Sequence, residues 1–113
     1  MSKPKTYSVE RVEQRIPMEV AVQIAGHPNL PGVEITFTEN VSSRGARVLT
    51  SRRWTQHDQL VLASMRCDFH AVARVAYCHP ARDRGFAVGL EFLRPSGRWV
   101  VATPLERRPE VHP

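Results

Sequence analysis

Two short groups of residues carry the chemistry that this chain can offer. Arg11 and Arg15 are spaced as RxxxR, and Asn40, Ser42 and Gly45 lie in Asn40-Val41-Ser42-Ser43-Arg44-Gly45, which reads [D/N]xSxxG. An arginine presents a planar fork of donors that matches a phosphate or the edge of a guanine, and it also stacks on flat rings. Asn40 offers a carbonyl acceptor and Ser42 a hydroxyl. Gly45 is expected to supply positive φ and room for a ligand to approach the backbone. With this many arginines the first spacing arises by chance about 1.7 times, and Arg94 and Arg98 repeat it. The second motif has a chance expectation on the order of 0.02. It follows a predicted strand directly, where a binding turn is well placed.

Other chemistries find no support. GxSxG, HExxH and the phosphate-binding P-loop are missing, and the glycines are too scattered for GxGxxG. An enzyme is not expected. Cys67, His70, Cys78 and His79 fall close together, but zinc ligands come in pairs two to four residues apart. Adjacent Cys78 and His79 would point to opposite faces of a strand. The expectation is no metal site and two reduced, mostly packed thiols.

Strands must position the two motifs. Ile16-Pro17 keeps Ile16 out of the helical region, so no helix runs through that point. Met18, Val20, Val22 and Ile24 alternate with polar or small residues, the period of a strand with one buried face. Gly26 to Gly32 is a turn, and Val33, Ile35 and Phe37 then repeat the pattern in a second strand of the same kind. Ala46 to Leu49, Leu60 to Ala63, Phe69 to Cys78 and Phe86 to Leu93 supply further strands, with a loop at His79 to Gly85. Short strands at this spacing, with almost no sustained helical period, predict an all-β antiparallel barrel or sandwich. Ser96 to Leu105 admits a short C-terminal helix, with Trp99 and Val100 covering the barrel mouth.

Length and composition fit this reading. A chain of 113 residues, 42% hydrophobic and 24% charged, is one ordinary globular domain. Residues 1–10 are expected to be a flexible tail, residues 11–105 the domain with its arginine arm, and residues 106–113 a second flexible tail. No apolar run approaches the roughly 20 residues of a membrane helix. The start lacks the apolar stretch of a secretory signal, so a cytoplasmic location is expected. The net charge is +5, and fourteen of the sixteen basic residues are arginine. That bias suits an anionic, nucleotide-like partner, and a GC-rich genome also produces it.

At these residues the chain resembles the PilZ domain family, bacterial receptors for the second messenger cyclic di-GMP. RIPMEVAV, NVSSRGARV and AVGLEFL occur in that family's order and at its approximate distances, so the resemblance covers roughly residues 11 to 99. It implies a six-stranded antiparallel β-barrel, with ligand held between the arginine arm and the barrel's outer surface. It assigns ligand binding to Arg11, Arg15, Asn40, Ser42 and Gly45, needs no further cofactor, and implies relay to an unidentified downstream effector protein.

The chemistry of these positions agrees. Cyclic di-GMP is a dianion with two guanine planes, and arginine both neutralises phosphate and reads guanine O6 and N7. In an extended arm, positions i and i+4 lie on one side roughly 13 Å apart, a span suited to a compact stacked dinucleotide. Asn40 replaces the charged acceptor an Asp would supply, and Glu10 and Glu13 compete for the arginines. A plainer reading keeps Arg11 and Arg15 in surface ion pairs and makes Asn40 to Gly45 an ordinary hairpin turn. Two rivals remain: a ligand-independent adaptor for a motility or secretion partner, and a basic barrel binding single-stranded nucleic acid. The second normally needs aromatic platforms along its strands, whereas the aromatics here are expected mostly in the core.

Overall fold

Alternation of large apolar residues with polar ones builds the wall of the molecule. The computed structural model describes residues 14–102. It contains β1 (Ile16–Pro17), β2 (Ala21–Ala25), β3 (Val33–Ser42), β4 (Gly45–Thr50), β5 (Gln59–Ser64), β6 (Phe69–Pro80) and β7 (Phe86–Gly97). Every pairing is antiparallel, and the ring β2-β5-β6-β7-β4-β3 closes on itself through β3 and β2. This is the six-stranded barrel expected from the sequence. Closure removes every long free edge, and the two-residue β1 adds to β3 from outside the ring.

The interior is filled in layers by one face of each strand. Val20, Val22 and Ile24 meet Val41, Val48, Leu62, Val75, Val88 and Leu90, all nearly inaccessible to solvent. At one end Trp99 packs with Phe69 and Phe92, their ring centroids 4.8 and 5.3 Å away, so an aromatic cluster closes the barrel there.

Three expectations need correction. In β3 the alternation is present but the faces are reversed. Val33, Ile35 and Phe37 point outward and are 55, 60 and 51% exposed, while Thr38 is buried. The reason is an irregularity between Thr38 and Asn40, where β3 carries one residue more than its partner β4. Val41 must enter the core beyond the bulge, and the extra residue fixes the opposite parity before it. The inward polar groups are satisfied. Thr38 Oγ1 donates to the Met18 carbonyl (2.7 Å) and accepts from Val20 N–H (2.8 Å). Glu34 accepts from Thr50 Oγ1 (2.6 Å) and from Ser51 N–H (2.8 Å).

The C-terminal helix is the second correction. Ser96 and Gly97 continue β7, and residues 98–102 form no helical turn. Residues 103–105 lie outside the described residues. The β7 strand runs on because Phe69, His70 and Ala71 of β6 offer it partners as far as Gly97. β6 likewise runs through His79 and Pro80, which were expected in a loop.

Because Thr38 fastens the bulge to the chain entering β2, Thr38→Val leaves the Val20 amide and Met18 carbonyl without their buried partner. Urea denaturation is expected to show a loss of about 1–3 kcal/mol, with little change in slope.

Candidate functional site

The short β1 strand brings the two motifs together. Ile16 pairs with Val41 and Pro17 with Asn40, so one step back along the antiparallel ladder sets Arg15 beside Ser42. The Arg15 guanidinium donates from NH1 to Ser42 Oγ at 3.1 Å. Arg15 is exposed, whereas Ser42 is fully buried. Arg11 and the rest of the expected arm up to residue 13 lie outside the described residues.

Ser42 is the hub of the turn. Its hydroxyl accepts from Arg44 N–H (3.3 Å) as well as from Arg15, and it stands 3.5 Å from the Gly45 carbonyl. Its own carbonyl accepts the indole N–H of Trp99 at 2.9 Å. The aromatic cluster that closes the barrel therefore holds the motif from behind. Sequence reasoning placed Trp99 over the barrel mouth but did not connect it to Ser42, 57 residues away, because no local pattern marks so long a contact.

Asn40 sits just past the bulge, paired across the outer face with Arg47 of β4. Its Oδ1 is buried and finds no hydrogen-bond partner among the described residues. A buried acceptor without a donor costs free energy, about 1–3 kcal/mol. Here that acceptor stands in the same turn as the Arg15 fork.

Gly45 does not take the backbone conformation expected of it. It does not adopt positive φ. A Cβ at this position would collide with the Leu90 carbonyl oxygen of β7, and Glu91 lies directly across from it. The glycine lets a neighbouring strand approach the turn closely and so fixes the turn's position on the barrel.

Beside Asn40 lies a polar group that the motifs do not include. Arg47 donates from Nε to Glu39 Oε1 (2.7 Å) and from NH1 to the Tyr77 hydroxyl (3.0 Å). Those two contacts, Glu39 first, raise the pKa of Arg47 above its usual value against the opposing effect of burial. Tyr77 lies flat over Gly89, where a Cβ would enter its ring, and stacks on His79 at 4.7 Å. Strict alternation after inward Val75 would turn Tyr77 inward; a bulge in β6 between Val75 and Tyr77 turns the ring outward instead, and no local pattern marks that bulge. On the same face Arg74 pairs with Glu91. The outer surface near Asn40 thus carries guanidinium groups, carboxylates and one flat ring. Among the described residues, no group of three or more His, Cys, Asp or Glu is arranged to hold a metal ion.

The arrangement suits a flat, anionic, hydrogen-bonding molecule lying against the outside of the barrel. A family model described as PilZ domain matches residues 10–98. The chain belongs to the PilZ domain family. The matched span takes in both motifs and every strand of the barrel, and PilZ domains are receptor and adaptor modules of cyclic di-GMP signalling. A search of curated proteins found no match. Among the described residues of this PilZ domain, no helix is long and apolar enough to cross a membrane.

Gly45→Ala tests the structural part of this account without ligand. The added methyl has rigid backbone in its way, so the thermal midpoint of the ligand-free PilZ domain is expected to fall by several degrees. Ser43→Ala, on a half-exposed residue of the same turn, is expected to leave it nearly unchanged.

Proposed function

We propose that this protein is a receptor for cyclic di-GMP that binds the dinucleotide through Arg11, Arg15, Asn40, Ser42 and Gly45. In this reading it relays the bound state to a partner protein. The observation that carries the proposal is the meeting of the Arg15 guanidinium with Ser42 beside the buried Asn40 Oδ1, which has no hydrogen-bond partner among the described residues. Membership of the PilZ family supplies the ligand class.

The chemistry of exchange favours binding. Arg15 rests on a neutral hydroxyl, and a hydrogen bond to a charged phosphate oxygen is roughly twice as strong. Arg15 is exposed, so phosphate reaches it without disturbing the core. A guanine N–H directed at Asn40 Oδ1 removes the cost of that buried acceptor, a penalty that the free protein bears and the complex does not. Ser42 keeps the turn shaped while Arg15 turns from it towards the ligand, and Gly45 keeps that turn close to β7. Arg11, four residues upstream of Arg15, is assigned the second phosphate or base. Clamping the chain before β1 across the barrel creates a surface that differs between free and bound states, which is what a partner needs to discriminate them.

Titration calorimetry with cyclic di-GMP tests this directly. Wild-type protein is expected to bind saturably, and Arg15→Ala to bind roughly 10- to 100-fold more weakly while keeping its fold. Asn40→Asp, which adds charge to the guanine acceptor, is expected to tighten binding. Absence of heat with the folded wild-type protein overturns the proposal and favours a ligand-independent adaptor.

A further inference from the structure

The reversal of β3 leaves a large apolar surface on the outside of the barrel. Val33, Ile35 and Phe37 of β3 are about half exposed, as are Val61 of β5 and Met65 just beyond it. Between them runs β2, whose outward residues are Ala21, Gln23 and Ala25. The register aligns these in rows across three strands: Val33 with Ala25 and Val61, and Ile35 with Gln23 and Ala63. Phe37 lies beside Ala21, whose carbonyl accepts from Met65 N–H at 2.9 Å. None of these outward positions is charged, in a chain of which 24% is charged.

The five large side chains alone present on the order of 500 Å² of accessible surface, at the upper end for the largest patch of a typical monomer. With the alanines and Gln23 the face presents about 600 Å² on each copy, the low end of what a stable interface buries.

We propose that this face is the contact between two copies of the chain, joined about a two-fold axis through β2. Charge makes this the face at which two copies can approach. Two molecules of net charge +5 repel each other, and this is where they meet without placing like charges together. The centre of the face is also self-complementary. Gln23 is its polar residue, and a carboxamide both donates and accepts, so two copies facing across the axis satisfy one another. Lysine or glutamate there would repel its own image. The inference rests on neither cyclic di-GMP nor the residues assigned to it, since Phe37 and Asn40 stand on opposite sides of the bulge.

Sedimentation of the full chain without ligand tests it. Wild type is expected to be dimeric at tens of micromolar, and Ile35→Glu and Phe37→Glu each to be monomeric, with the dissociation constant raised roughly a hundredfold or more. Leu93→Glu, exposed on β7 across the ring from β2, is expected to remain dimeric. Should a glutamate variant lose its fold by circular dichroism, Gln23→Cys gives an independent reading. Under mild oxidation, peptide mass spectrometry is expected to find position 23 linked to its own copy. A wild type that stays monomeric to about 100 µM overturns the proposal and leaves the face to a different protein. A dimer indifferent to both glutamate variants, or linked elsewhere than at position 23, overturns it as well.

Discussion

One extra residue in β3 governs the molecule. Between Thr38 and Asn40 the strand gains a position over β4, and the parity of its side chains changes there. Upstream, the apolar residues face water and the polar ones face the barrel. Downstream, Val41 enters the core and Asn40 turns outward beside Arg47. Without the bulge Val41 and Asn40 would exchange faces, and the pairing of Ile16 and Pro17 with them would carry Arg15 to a different place. Thr38 holds the bulge in register by bonding to both Met18 and Val20, so the barrel's closure and the position of the motifs share one anchor.

The site is accordingly built on rigid backbone, and the described arginine of its arm, Arg15, is held by a weak bond. Ser42 is fixed from behind by Trp99, and Gly45 by the approach of β7. Among the described residues, Arg15 is tethered at the surface through one neutral acceptor, the Ser42 hydroxyl. A rigid cradle with a replaceable contact is what a reversible receptor needs, because ordering costs are met in folding and few are left for binding. The pair of Arg47 with Glu39 is exposed and contributes little to stability, about 0–1 kcal/mol, so its place beside Asn40 is better explained by the surface it shapes.

Much of this was legible in the sequence, and the parts that were not have physical reasons. Period-two patterns found the strands, and the spacing of Asn40, Ser42 and Gly45 marked the turn, because both signals are local. The same alternation in Val33, Ile35 and Phe37 could not say which face was inward. That depends on a bulge set by pairing with β4, and Thr38 and Glu34 are tolerated inside only through partners 16 to 20 residues away. The positive φ expected of Gly45 failed for a similar reason: what demands a glycine there is Leu90, on a strand distant in sequence. The helix over Ser96 to Leu105 failed where β6 offered β7 a ladder to extend, so tertiary pairing overrode local preference. The link from Trp99 to Ser42 had no sequence signal at all.

In the proposed receptor, cyclic di-GMP is held at the junction of β1, the β3 bulge and the turn into β4. Amide shift mapping of the isotope-labelled full chain during titration with the dinucleotide tests it most directly. Saturable shifts are expected to concentrate at Arg15, Asn40, Ser42 and Gly45, with the amides of β6 near Phe69 unmoved. Saturable shifts confined to another part of the barrel, with those four amides silent, would contradict it.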